Sequence, residues 1–91
     1  MRLDLFLKLV GIAKTRSLAA RLVTTGRLQR LSSPAGARLK PAHEVEVGER
    51  YRSERVAGFQ EWVVLAIPEG RSLAKKDRAD YIQVEKSPDG L

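Results

Sequence analysis

Positively charged side chains crowd the first forty residues of this sequence, and almost no acid accompanies them. Nine lysines and arginines occur there against Asp4 alone, a net charge of +8, whereas residues 41–91 carry −2. A concentrated basic region attracts a polyanion because neutralising phosphates releases their counterions. We therefore expect residues 1–40 to bind a phosphate backbone. A membrane surface is a weaker alternative, since the basic residues are spread over short segments rather than along one amphipathic helix.

Two of these basic residues flank a predicted helix start. Thr15 is a typical N-cap residue, and Lys14 and Arg16 lie on either side of it, where open amides and the helix dipole favour a phosphate. Arg2 stands just before an earlier predicted helix. Arginine binds phosphate bidentately and also stacks on exposed bases, which suits structured RNA. Arg2 and Arg16 are therefore the leading candidates, with Arg21 about one turn further along.

The elements that must position these residues are short. Apolar residues recur at helical spacing from Leu3 to Val10, and Gly11 follows where the helix would stop. A second helix begins after Thr15 and ends before Gly26, a glycine that can take the left-handed conformation. Short strands are predicted next, at residues 27–31, 37–40, 44–47, 51–56 and 61–67. These patterns predict one small α+β domain, residues 1–91.

The carboxy-terminal third is predicted to hold a last helix and much of the core. The helix is expected over Ser72 to Gln83, and a frayed tail begins at Ser87. Tyr51, Phe59 and Trp62 are interpreted as core residues rather than as stacking platforms for bases. A second basic cluster is interpreted as a solvated helix face because Asp77 and Asp80 interrupt it; its members are Lys75, Lys76 and Arg78.

The composition argues against an enzyme. The chain has no cysteine and one histidine, so no thiolate or imidazole cluster can bind a metal. We expect His43 to have a surface role, and Ser32 and Ser33 to form a turn. There is no glycine-rich phosphate loop, catalytic carboxylate pair or nucleophile motif, so no cofactor is expected. The start of the chain lacks the basic-then-apolar order of a signal peptide, and we expect a cytoplasmic protein.

Five segments, taken in order, resemble the S4 RNA-binding domain family. They are MRLD at residues 1–4, KTRSLA at 14–19, GRL at 26–28, LKP at 39–41 and VEVGE at 45–49. The resemblance covers residues 1–55 and implies an S4-type fold, two short helices on a small curved sheet, with residues 56–91 as an extension of one strand and one helix. It also implies that Arg2 and Arg16 face RNA. The complete set of candidate RNA-binding residues is Arg2, Lys8, Lys14, Arg16, Ser17, Arg21, Arg27 and Lys40.

The sequence departs from the S4 pattern at two turns. Residues 30–36 replace a tight Val-Asn-Gly hairpin with a loop about four residues longer, and Gly48-Glu49 stands for the usual Gly-Asp turn. Proline at 34 and glycine at 36 could still supply turn geometry. An RNA contact carried by the family's hairpin tip cannot be transferred to this chain.

The ends of the sequence resemble one branch of stand-alone S4 proteins. MRLDLFLK at residues 1–8 and KKDRADY at 75–81 are similar to bacterial factors that act in ribosome-associated quality control of stalled translation. That resemblance implies binding to ribosomal RNA of the large subunit and to tRNA, beside a partner that adds an alanine tail to the arrested chain. EWVV at 61–64 is similar to a sister branch, the S4 heat-shock proteins that bind free large subunits with nascent chains.

Two other classes of function remain to be weighed. A basic second helix could imitate a helix-turn-helix DNA-binding protein, but such factors usually dimerise, and the sequence shows no dimerisation helix. S4 domains are also appended to RNA-modifying enzymes, but 91 residues are too few to add a catalytic domain.

Matched binding assays test the choice between RNA and DNA. We expect structured RNA to bind more tightly than duplex DNA of equal charge at the same salt concentration, because an S4-type surface follows RNA shape and backbone. Equal or tighter binding to the DNA duplex, together with dependence on its base sequence, would instead support the helix-turn-helix alternative.

Overall fold

A computed structural model describes residues 1–31, 38–55 and 58–86. These residues form two α-helices, one antiparallel sheet in the order β1-β2-β3-β4, and a 3-10 helix between its last two strands. The elements are α1 (Leu3–Leu9), α2 (Arg16–Thr24), β1 (Leu28–Arg30), β2 (Arg50–Arg55), β3 (Gly58–Val64), the 3-10 helix (Lys75–Asp80) and β4 (Ile82–Lys86). The predicted α+β class is confirmed.

The two predicted amino-terminal helices are confirmed, and each starts in a different way. The Thr15 hydroxyl oxygen accepts a hydrogen bond from the Leu18 amide at 3.1 Å and so caps α2. Gly26, at φ 75°, follows the end of α2 in the left-handed region. The first amides of α1 are capped by another segment instead: those of Leu3 and Asp4 donate to carbonyl oxygens of the 41–43 loop at 2.8 and 3.1 Å.

The core is centred on Trp62 in β3. Its ring stacks on Tyr51 at a centroid separation of 4.8 Å and on Phe6 of α1 at 6.2 Å. Its indole N–H donates to the Ser53 hydroxyl at 2.8 Å, so the polar edge of the ring is also satisfied. Tyr51 and Trp62 face each other across β2 and β3 and are fully buried. The prediction that these two residues belong to the core is confirmed.

Phe59 was predicted to lie in the core, and this prediction is wrong. Side chains alternate between the two faces of a strand, so the phase that buries Trp62 and Val64 directs Phe59 to the opposite face. Its side chain is 54% exposed, and the Arg52 guanidinium lies 5.1 Å from the ring centroid. The exposed ring is therefore covered in part by a cation–π contact.

Two of the predicted strands do not form within the described residues, and a third is shifted. Residues 38–40 are irregular, and residues 44–47 make only one isolated bridge, between Glu44 and Arg2. The amides of Val45 and Glu46 donate to the Met1 carbonyl and the Glu49 carboxylate, so they are not available to a neighbouring strand. β3 covers residues 58–64 rather than 61–67. The predicted Ser32–Ser33 turn, with most of the lengthened loop, lies outside the described residues.

The predicted last helix, Ser72 to Gln83, is also wrong. Only residues 75–80 are helical, as a 3-10 helix, and residues 82–86 pair with β3 as β4. The edge of β3 offers these residues backbone hydrogen bonds, with one register shift between Glu61 and Trp62, and Ile82 packs against the core opposite Val64. Tertiary pairing thus overrides the local helical pattern.

The second basic cluster is not a uniform solvated face. Lys75 and Lys76 are exposed, as expected, but Arg78 is half-buried and its guanidinium lies against Gly11. A Cβ atom at Gly11 would lie 2.5 Å from Arg78 Nη1, and Gly11 also has φ 83°. The glycine therefore permits both the turn after α1 and the close approach of Arg78. Among the described residues, no helix has the length and apolar character needed to cross a bilayer.

Truncation after Glu54 tests how far the extension belongs to the core. The fragment lacks Trp62 and Val64, so the stacked face of Tyr51 and the apolar face of Phe6 would lie open to water. We expect residues 1–54 to aggregate or to unfold without a cooperative transition, as measured by circular dichroism and size-exclusion chromatography. A soluble fragment that unfolds cooperatively would show that residues 56–91 are an appendage.

Candidate nucleic-acid interface

Asp4 brings together the two arginines that the sequence singled out. Its carboxylate is 7% exposed and accepts hydrogen bonds from Arg2 Nε and Nη2 at 3.3 and 3.2 Å. Arg16 Nε lies 3.3 Å from the same carboxylate, and the Leu5 amide donates to it at 2.8 Å. Arg2 and Arg16 remain 50% and 42% exposed, so each can use further N–H groups on an anion. One buried acid thus sets the spacing of two exposed cations.

The start of α2 offers open amides beside these cations. The amides of Arg16 and Ser17 have no acceptor within the described part of the chain, because the Thr15 cap satisfies only Leu18. Ser17 and Lys14 are both exposed next to them. Open amides and the positive end of the helix dipole favour a phosphate oxygen, and the neighbouring cations add to that attraction. The start of α1 is different, since its first amides already donate to the 41–43 loop.

Three further candidates lie around one groove. Lys14, Arg21 and Arg27 line a cavity of about 530 Å³ between α2 and the segments on either side of it. A second hollow of about 540 Å³ shares Lys14 and Arg27 and extends to Ser53 and Glu54 on β2. Arg21 of the second helix and Arg27, which precedes β1, therefore border one surface with Lys14.

Lys8 and Lys40 are not brought into this surface. Lys8 is an exposed residue in the last turn of α1; it is not one of the ion-pair partners of Asp4 and does not line the groove. Lys40 lines a smaller hollow of about 240 Å³ together with Arg30 and Arg38. Arg30 and Arg38 contribute to the net charge of residues 1–40, but the sequence does not predict them as site residues. Their convergence depends on the fold, and no local motif indicates it.

A buried polar network holds that hollow in place. The Glu49 carboxylate accepts from Arg30 Nη1 at 3.0 Å, from the Tyr51 hydroxyl at 2.9 Å and from the Glu46 amide at 2.9 Å, and His43 Nε2 lies 2.8 Å away. The surface role expected for His43 is therefore only partly right, because the ring is half-buried in an ionic network. No group of His, Cys, Asp and Glu residues in the described ranges could hold a metal ion.

The network shifts the pKa values of Glu49 and Tyr51. Burial alone would raise the pKa of Glu49, but the hydrogen bonds from the Glu46 amide, His43 and Tyr51 outweigh it and lower the pKa of this carboxyl. Burial, together with the nearby Glu49 carboxylate, raises the pKa of Tyr51. Glu49 is therefore an ionised acceptor at neutral pH, and Tyr51 is a neutral donor to it.

Comparison with curated proteins shows the family of this chain. The RQC P-site tRNA stabilizing factors of Helicobacter pylori strains J99 and 26695 are 34% and 33% identical to it over 82 residues, which are 90% of this chain and 93% of theirs. The chain belongs to the RQC P-site tRNA stabilizing factor family, or RqcP. The predicted resemblance to the quality-control branch is confirmed. No protein-family model matches the sequence.

Solved structures confirm the fold expected of an RqcP protein. Vibrio cholerae heat shock protein 15, solved as a trimer, superposes with a TM-score of 0.78 at 25% identity, over 92% of this chain and 80% of that one. The solution structure of the hypothetical protein HP1423 gives a TM-score of 0.73 at 30% identity, over 96% and 99%. Because heat shock protein 15 has an S4-like fold, the predicted S4-type fold is confirmed.

The lowered pKa of Glu49 predicts how stability depends on pH. Its pKa in the folded chain lies below the ordinary 4.5, so its contribution is complete above that value and is lost as the pH falls through the folded pKa. We expect Glu49→Gln to lower the free energy of unfolding at neutral pH by about 1–3 kcal/mol, because the donors lose a charged acceptor. The variant should also show a weaker loss of stability towards acid.

Urea unfolding from about pH 7 down to about pH 3 measures both effects. Glu54→Gln is a matched control, since Glu54 is an exposed carboxyl nearby on β2. Parallel pH profiles for the native chain and Glu49→Gln would contradict the assignment of the acid dependence to Glu49.

Proposed function

We propose that this chain is a non-enzymatic RNA-binding factor that docks on the large ribosomal subunit during ribosome-associated quality control. Its ligands would be ribosomal RNA and a tRNA in the P site, and it would act in the cytoplasm beside an alanine-tailing rescue factor. The names of the two Helicobacter relatives, which specify stabilisation of a P-site tRNA, support the tRNA part of this proposal. The basic amino-terminal half supports the RNA part.

The observation that carries the proposal is the pairing of Arg2 and Arg16 through Asp4. Two guanidinium groups held by one buried carboxylate lose less conformational freedom on binding than two unrestrained arginines. They stand beside the open amides of α2, so one phosphate can meet charge and dipole together. Lys14, Arg21 and Arg27 continue this cationic surface along α2.

The same geometry favours binding over catalysis. The groups collected at this surface are cations, open amides and one carboxylate that is already bonded to two arginines. Such groups orient a phosphate backbone, but within the described residues no nucleophile is paired there with a general base. We therefore assign the surface to recognition of RNA.

The heat-shock branch is the second candidate function. The superposition with Vibrio cholerae heat shock protein 15 favours it, since the fold agrees over 92% of this chain. In that role the protein would bind free large subunits that carry nascent chains. Affinity purification separates the two: co-purification of alanine-tailing machinery supports quality control, and large subunits without that machinery support the heat-shock role.

Substitution of the paired arginines tests the proposal. Arg16→Ala should weaken co-sedimentation with large ribosomal subunits at near-physiological salt and reduce the salt slope by about one, because one phosphate contact is lost. Arg2→Ala should behave similarly, and the double variant should abolish association. Lys75→Ala, an exposed lysine on the 3-10 helix, is the matched control and should bind normally.

Circular dichroism must show that each variant is folded, which we expect because Arg2 and Arg16 contribute little to the core. Unchanged co-sedimentation of a folded double variant would remove both arginines from the interface.

A further inference from the structure

The groove beside α2 has an apolar floor beneath its basic rim. Leu18 is 42% exposed, and Ile12 and Leu22 are half-buried with it in the same cavity of about 530 Å³. Residues at positions i and i+4 lie on one face of a helix, so Leu18 and Leu22 form a single apolar strip. The cavity size lies within the range of about 300–1,000 Å³ that is typical of small-ligand pockets.

The charges around this floor have one sign. Lys14, Arg21 and Arg27 line the cavity, and among the residues that the structure describes no acid lines it; Glu54 belongs to the adjoining hollow. An apolar surface ringed by cations complements a ligand with a flat apolar centre and negative charges on either side. A nucleotide in a single strand has this form, with its base between two phosphates.

The groove is also continuous with the phosphate site proposed above. Leu18 lies in the first turn of α2, directly after the open amides of Arg16 and Ser17, and Lys14 belongs to both features. A strand whose phosphate binds those amides would carry its neighbouring nucleotide to the groove. A base inside a helix cannot enter, because its faces are covered by its stacked neighbours.

We propose that this groove receives one unpaired nucleobase of the bound RNA. The base lies against Leu18, Ile12 and Leu22, while Lys14 and Arg21 bind the phosphates on either side of it. The inference rests on the proposed RNA-binding function and adds a preference to it: the chain selects RNA in which a base is bulged or looped out of the helix.

Three RNA hairpins of equal length test this inference: one fully paired, one with a single bulged adenosine, and one with an abasic residue at the bulge. We expect the hairpin with the bulged adenosine to bind about fivefold more tightly than the other two hairpins. This factor is at the low end of what one stacked base contributes to affinity, because the floor of the groove is aliphatic. Fluorescence anisotropy at several salt concentrations gives both the affinities and the salt slopes.

Matched leucine variants locate the effect. Leu18→Ala should remove the preference for the bulged adenosine and leave the salt slope unchanged, since no phosphate contact is lost. Leu65→Ala is the control, because Leu65 has the same 42% exposure but lies outside the groove. Arg16→Ala should weaken all three hairpins equally and reduce their slopes, which separates the phosphate site from the base site.

The possible failures are distinguishable. Equal affinity of the bulged and abasic hairpins, with a normal salt slope, would overturn the inference and leave the proposed function intact. Failure of all three hairpins to bind would overturn both. A third outcome would assign the groove to a protein partner instead. In that case the native chain shows no preference for the bulge but binds a fluorescent acidic peptide that contains leucine, and Leu18→Ala abolishes the peptide binding.

Discussion

The carboxylate of Asp4 is the contact on which the candidate interface depends. It is the one acid among the first forty residues, and it is buried at the start of α1, where it accepts hydrogen bonds from the Leu5 amide and from Arg2 and forms an ion pair with Arg16. A buried carboxylate needs such partners because an unpaired charge in this position would be strongly unfavourable. The need to satisfy Asp4 therefore fixes Arg2 and Arg16 relative to each other and joins the starts of α1 and α2.

The polar network around Glu49 supports this arrangement through the loop that caps α1. Its carboxylate binds Arg30 of β1, the Tyr51 hydroxyl of β2 and the amide of Glu46. His43 of the same network also offers its carbonyl oxygen to the first amide of α1. The loop that caps α1 is thus tied to the sheet, and Tyr51 links the network to the stacked core at Trp62. This rigidity favours binding of a stiff polyanion, because less free energy is spent on ordering the side chains and loops of the surface.

The carboxy-terminal third contributes structure to a surface that it does not itself form. Trp62 and Val64 complete the core under α1, and β4 covers the edge of β3. Arg78 lies against Gly11, in the connection that leads to Lys14 and the cap of α2. In the described range 58–86, these residues contact the core and the connection between the two helices, whereas the candidate RNA-binding cations lie in residues 1–40.

The sequence by itself determined the features that depend on local chemistry. The Thr15 cap, the Gly26 stop and the five S4 motifs were sufficient to predict the two amino-terminal helices and the fold family. The charge asymmetry and the same motifs also predict Arg2 and Arg16 as RNA-binding residues, and that role stays a prediction. The cap, the stop and each single motif are read within a few residues, and neighbouring residues in a helix interact whatever the rest of the chain does.

Only the tertiary structure decided which residues meet across the chain. Residues 82–86 became a strand because the edge of β3 supplied partners, and the register of β3 directed Phe59 outwards. Lys40 joined Arg30 and Arg38 rather than the groove, and Leu18 lines that groove with 42% of its surface exposed. Strand pairing, strand register and the convergence of distant side chains are long-range contacts, so no local pattern of residue types specifies them.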